Sequence, residues 1–187
     1  MSTYDVGFRV VAPLGSGEEQ KQTNEKQGVE HMHDTIPNGA RLASRIILIG
    51  PNQTVLYLLA HEPQSNKRIW VMPGGGLDGD ETFEDAAKRE LCEETGCAFT
   101  LGPCVWVRHH YVWNGKKRDQ YERFFVAHTE TLILNPKEQD GYVSGHKWWS
   151  LDELRSSSEE FAPRSVAKLL PDILHGIYPN EPIDCGV

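Results

Sequence analysis

Apolar residues recur along this chain with two periods, and the switches between them mark the elements. Tyr4, Val6, Phe8 and Val10 alternate with other residues, the pattern of a short strand. Gly15 to Gly39 is almost wholly polar or small, interrupted only by Val29, Met32 and Ile36. Such a stretch buries too little surface to offset its ordering entropy. Residues 1–40 are therefore expected to form an extension, flexible or loosely docked, ahead of a folded domain over 41–187. Arg45-Ile-Ile-Leu-Ile-Gly50 is a β-branched run ending at Gly-Pro-Asn, and Thr54 to Ala60 follows it, so the two predict a hairpin with a short loop. Ile69 to Met72 predicts another strand, stopped by Pro73 and three glycines. Thr82 to Thr95 changes to helical spacing and ends at Gly96, the residue favoured just past a helix. Cys104 to Tyr111 and Tyr121 to His128 are strand-like again, with Asn114-Gly-Lys-Lys as the turn between them. Trp148-Trp149 predicts a short strand and Ser150-Leu-Asp-Glu153 a capping-box helix start. Ser165 to Leu174 predicts a closing helix that Pro171 bends or divides. Interleaved strands and helices place the chain in the α/β or α+β class, with a mixed sheet.

The helix over Thr82 to Thr95 departs from ordinary amphipathic design. At about 100° per residue, Phe83, Ala87 and Leu91 fall on one side, which should pack on the sheet. On a merely solvated helix the acids would lie opposite, as Glu84 and Asp85 do. Glu90 and Glu94 instead project within about 20° of Phe83, inside the apolar arc, with Glu93 at its edge. Like charges clustered on a partly buried face repel one another unless a cation sits among them, and hard oxygen donors select Mg²⁺ or Mn²⁺. Ahead of the helix, Gly74-Gly75-Gly76 permits close approach of backbone to a ligand. Glu81 sits where a helix start favours negative charge, and Arg89, two turns on, is placed to clamp the loop by an ion pair.

Composition narrows the classes of function. The 187 residues are 39% hydrophobic and 25% charged, with a formal net charge of -8. That balance disfavours duplex nucleic acid and anionic membrane surfaces as partners. The longest apolar runs, Ile46 to Ile49 and Val55 to Ala60, are too short to span a bilayer, and no secretory signal is visible. Cys92, Cys97, Cys104 and Cys185 have neither zinc spacing nor the density of a disulfide scaffold, so reduced thiols in the cytoplasm are expected. The acidity is unevenly spread. Between Asp78 and Glu94 lie eight acids and two bases, leaving only -2 for the rest of the chain. A phosphate-bearing substrate would have to arrive here with a metal ion.

Gly75, five residues, Glu81, seven residues, then Arg89-Glu90-Leu91-Cys92-Glu93-Glu94-Thr95-Gly96-Cys97 resembles the Nudix box. Every fixed polar and glycine position is filled, and Cys97 stands where the family usually has an aliphatic residue. Trp70-Val-Met-Pro-Gly-Gly resembles the family's approach to the box, and Trp148 to Leu154 its later strand and helix. The resemblance covers about Arg41 to Leu174. It implies an α/β/α sandwich around a mixed sheet and hydrolysis of a nucleoside diphosphate linked to a second group, X, by water attack at phosphorus. It also implies Glu90, Glu93 and Glu94 as ligands of Mg²⁺ or Mn²⁺, with the Gly74 carbonyl as a further ligand. Glu90 would orient or deprotonate the water, and Arg89 and Glu81 would position loop and helix.

Many family members draw another carboxylate from a later loop. Glu138 is the first candidate here, with Asp140 and His146 behind it. Arg45 on the first core strand is placed to reach a phosphate. Tyr121, Glu122 and Arg123 cannot all face one cleft, because side chains alternate along a strand. Trp106, Tyr111 and Trp113 are candidates for stacking on a base, although strand aromatics usually belong to a core. His109 and His110 face opposite ways and make poor joint ligands. The expected partner is a small nucleotide-type substrate, and a homodimer is compatible with this reading. Two other activities fit the same scaffold: a pyrophosphatase that removes damaged nucleoside triphosphates, and a nucleotide-sensing module without catalysis. The intact box acids argue against the second. An isoprenoid diphosphate isomerase would need a cysteine ahead of the box, and none precedes Cys92.

Overall fold

In the computed structural model, residues 36–61, 67–113, 117–137, 141 and 143–186 are described. The predicted strand at Tyr4 to Val10 and most of the polar extension lie outside them, as do Glu138 and Asp140. The chain runs β1 (Arg41–Ile49), a 3-10 turn (Pro51–Gln53), β2 (Val55–His61), β3 (Arg68–Val71), α1 (Phe83–Thr95), β4 (Thr100–Trp113) and β5 (Lys117–His128). It continues with β6 (Val143–Trp149), α2 (Leu151–Ser156), β7 (Phe161–Ala162), α3 (Val166–Leu174) and β8 (Ile183–Asp184).

The sheet is mixed, in the order β7-β3-β2-β1-β5-β4-β8, with β6 also paired to β2. β1 lies parallel to β5 along its whole length, from Arg41 opposite Gln120 to Ile49 opposite His128. β4 and β5 form a long antiparallel pair. The expected β1–β2 hairpin exists but pairs only at Ile49 and Val55. The two strands part because the other edge of β1 is taken by the segment after β3. Ser44 N donates to Gly75 O at 2.9 Å, Ile46 N to Pro73 O at 2.9 Å and Leu77 N to Leu42 O at 3.1 Å. The glycine stretch is therefore laid along β1 as a short antiparallel ladder, where sequence suggested only a strand-stopping turn.

Alternation along β1 divides two cores. Ile46 and Leu48 pack with Phe83, Ala87 and Leu91 of α1, and with Tyr121 and Phe125 of β5. Ile47 and Ile49 face the other way, with Tyr57, Trp106 and Phe124, beneath Leu154 of α2 and Val166, Leu170 and Ile173 of α3. Helices on both faces make the α/β/α sandwich. Thr82 caps α1 by accepting from Asp85 N, and Gly96 ends it at φ 62°. Ser150 and Glu153 form the complete capping box of α2. Pro171 lies inside α3 without dividing it. Trp148-Trp149 is the end of a longer strand than expected. No helix among the described residues is long and apolar enough to cross a membrane.

Candidate active site

Two glycines fix how closely the loop approaches α1. Gly74 has φ +129°, and a Cβ there would sit 2.1 Å from the backbone oxygen of Ser44. At Gly75 a Cβ would sit 2.3 Å from Glu90 Oε1. The ladder to β1 thus brings backbone, rather than side chain, against the carboxylates of the helix. Ser44 adds a second tie, its hydroxyl donating to Phe83 O at 2.6 Å at the first turn of α1.

Arg89 holds the loop and helix together. Its Nε and Nη2 donate to the two oxygens of Glu81 at 2.8 and 3.0 Å, and Nη2 also reaches Gly76 O at 2.9 Å. Nη1 donates to Glu90 Oε1 at 2.9 Å and Glu93 Oε2 at 3.1 Å. The Arg89 guanidinium, helped by the Asp78 amide, lowers the Glu81 carboxyl to about 2. The expected clamp is therefore a bidentate, multiply shared pair rather than a loose surface contact. Glu90 behaves oppositely. Burial pushes its carboxyl up, opposed by Arg89 and reinforced by the charge of Glu93. Glu94 Oε2 accepts from Gly74 N at 2.7 Å, and Gly74 O accepts from Arg45 Nη1 at 2.6 Å.

Glu90, Glu93 and Glu94 are brought to one stretch of α1 beside the glycine ladder, as the helical spacing predicts. Among the described residues, no three His, Cys, Asp or Glu side chains converge at metal-binding distance. The local reason is visible: Arg89 draws Glu90 and Glu93 aside, while the Gly74 amide holds Glu94. The donor chemistry fits a hard divalent cation, since a half-buried carboxylate beside two others favours a positive charge among them.

His146 stands exposed on β6, opposite Leu58 of β2, and not in a loop. The loop after β5 is tied to the end of α1. Asn135 N donates to Thr95 O and Lys137 N to Glu93 O, both at 2.8 Å. Trp106 is core, 1% exposed, whereas Tyr111 is exposed, and the Trp113 side chain lies outside the description. His109 pairs with Asp119 at 2.5 Å on the exposed side, and His110 faces Glu122 at 3.3 Å on the other. Tyr121 and Arg123 face α1, where both meet the ring of Phe83.

Glu122 is the residue that the sequence left undecided. It is fully buried in the opposite face. Oε1 accepts from Arg45 Nε and Gln120 Nε2, each at 2.8 Å, and Oε2 from Arg108 Nε at 2.6 Å. Burial alone would raise this carboxyl, but Arg45, His110 and Arg108 outweigh it and hold it well below the usual range. The cluster lines a cavity of about 410 Å³ whose far wall includes Ile69, Val71, Phe161 and Arg164. Arg45 belongs to both places, since it also holds Gly74 O. Arg108 and Arg164 were not singled out from sequence. One signal existed: Trp106, Arg108 and His110 share a strand face, so polar residues continue a core-facing row.

A NUDIX domain model matches residues 39–172. The chain belongs to the Nudix hydrolase family. It is 31% identical over 107 residues to "Phosphatase NudJ" of Escherichia coli strain K12, covering 57% of this chain and 68% of that protein. The fold is similar to that of a Nudix hydrolase from Nitrosomonas europaea, with TM-score 0.56 and 20% identity over 75% of this chain and 93% of that one. It is also similar to the Nudix domain of Shewanella oneidensis NrtR, solved with ADP ribose, with TM-score 0.54 and 19% identity over 72% and 88% of the two chains.

Proposed function

We propose that this Nudix hydrolase is metal-dependent and cleaves the pyrophosphate bond of a nucleoside diphosphate linked to a second group, X. The observation that carries the reading is the acidic face of α1, three carboxylates pressed against a backbone ladder that leaves no room for side chains. Glu90, Glu93 and Glu94, with the Gly74 carbonyl, would hold Mg²⁺ or Mn²⁺. Held there, such an ion would neutralise pyrophosphate charge and supply Lewis acidity to activate water. The chain's own residues do the rest. Glu90, partly buried against Gly75, is placed to orient the attacking water or accept its proton. The water oxygen bonds to one phosphorus, the bridging P–O bond breaks, and a nucleotide and a phosphorylated X leave. Arg89 and Glu81 fix the helix against the loop so that Glu90 faces Gly75. Glu138 is the proposed additional acid, supported by the tie of Lys137 N to Glu93 O one residue before it. The ADP ribose bound to the NrtR domain supports a nucleotide-type substrate.

A panel of nucleoside diphosphate derivatives with Mg²⁺ or Mn²⁺, followed by product analysis, tests the reading. Glu93→Gln and Glu94→Gln should each lower kcat by roughly 100-fold or more. Turnover unchanged in both variants would sink the assignment of roles. Release of pyrophosphate from nucleoside triphosphates would move the substrate to the other class.

A further inference from the structure

A carboxylate buried in a core rarely stabilises it better than an apolar residue of the same volume, so its partners point to its use. Glu122 is fully buried. Its Oε2 faces Arg108 and His110, while Oε1 accepts from Arg45 Nε at 2.8 Å. Arg45 extends from this cluster toward the acidic helix, its Nη1 donating to Gly74 O at 2.6 Å. That carbonyl sits between two that belong to the β1 ladder, Pro73 O and Gly75 O, which accept from Ile46 N and Ser44 N. Gly74 is bonded away from the ladder instead. Its N–H donates to Glu94 Oε2 at 2.7 Å and its oxygen accepts from Arg45, so one residue is pinned from both faces of the sheet. The pinning has something to resist, because a glycine at φ +129° has a conformational freedom that other residues lack. A guanidinium is planar and rigid, so holding Nε sets the direction of Nη1. A carbonyl oxygen has two acceptor sites, and with one taken by Arg45 the other keeps a fixed direction.

We propose that Glu122 is a positioning residue for the metal site, setting the direction of the Gly74 carbonyl through Arg45 from the opposite face of the sheet. It touches neither metal nor substrate. The assignment rests on the hydrolase reading, in which that carbonyl and Glu94 are ligands of Mg²⁺ or Mn²⁺. Both of these donors belong to or bond with Gly74, so a Gly74 released on the Arg45 side disturbs two ligands together.

Titration of the full chain with Mn²⁺ alone, followed by electron paramagnetic resonance without substrate, reads the metal site directly. Glu122→Met removes the acceptor that holds Arg45 and should raise the Kd for Mn²⁺ about tenfold. Arg45→Lys keeps the charge, but an ammonium cannot span Glu122 and Gly74 O together, so it should raise Kd by a similar factor. In the double variant the second change should add less than about twofold, since both break one chain of contacts. A purely structural role for Glu122 would lower Tm and leave Kd where it was, which overturns the proposal. Equal effects of Glu122→Met with arginine or lysine at position 45 overturn it too, because Glu122 would then act by another route. Should melting curves show Glu122→Met unfolded, Arg45→Lys carries the test, and wild-type Mn²⁺ affinity in that variant rejects the relay. Absence of Mn²⁺ binding by the wild-type chain rejects the metal reading and the proposal with it. Mn²⁺ binding that both variants weaken, in a chain that turns over no nucleotide, retains the positioning role and rejects the hydrolase.

Discussion

At the scale of single residues, the two glycines ahead of α1 do different jobs and should fail differently. Gly74 meets backbone, and its φ of +129° strains any side chain. Gly74→Ala should cost about 3 kcal/mol or more, read from denaturant unfolding. Gly75 meets only the end of the flexible Glu90 side chain. Gly75→Ala should leave stability within about 1 kcal/mol yet lower kcat by roughly 100-fold, because the displaced carboxylate is the one proposed to orient the attacking water. Equal loss of stability in the two variants would refute this division. The sequence made the position of Glu90 legible, since a helical wheel needs only neighbours within one element. It left Glu122 undecided because its partners come from 77 residues before and 14 residues before it. Parallel pairing of β1 with β5 brings Arg45 to it, and no local pattern announces a parallel partner.

Between elements, the loop and α1 are joined by the fork of Arg89. Its geometry explains why the family pattern has an arginine rather than any cation: two N–H groups meet two oxygens of Glu81 while a third serves Glu90 and Glu93. Arg89→Lys should lower kcat about tenfold with little change in Tm, since a point charge cannot span those partners. Glu81 offers a direct probe of the same joint. Its carboxyl lies near 2 in the folded chain, below the ordinary 4.5. A depressed folded value means that the contribution of the clamp is complete above about pH 5 and fades as pH falls toward 2. A carboxyl-carbon NMR titration should find that midpoint, and a value near 4.5 would show that the fork is not formed in solution. Most elements were readable from period and punctuation. The Pro73–Leu77 ladder was not, because glycine and proline signal a turn whether or not the chain then pairs with a distant strand.

At the scale of the folded domain, the carboxylate cluster and the arginine cluster lie on opposite faces of the sheet. Glu90, Glu93 and Glu94 lie with α1 on one side, and the arginine-lined cavity lies on the other. Mg²⁺ should therefore stabilise the fold by binding the acidic side, raising Tm as its concentration exceeds Kd, and the rise should vanish in a Glu90→Gln, Glu94→Gln double variant. An unchanged Tm in the wild-type chain would count against the metal assignment. β1 is the strand on which both faces depend. Ser44 and Ile46 hold the glycine ladder, Arg45 and Ile47 look toward the cavity side, and every residue is matched in register to β5. Length, and not only composition, is consequently under constraint in this strand. Deleting one residue between Leu42 and Ser44 would turn Arg45 into the apolar core beneath α1 and Ile46 toward the cavity, so the protein should be lost from the soluble fraction. Deleting Asn52 in the turn beyond β1 moves no side chain across the sheet and should be far better tolerated. A deletion scan through residues 41–54, read by soluble yield, would therefore trace the strand as a block of intolerance ending at Ile49.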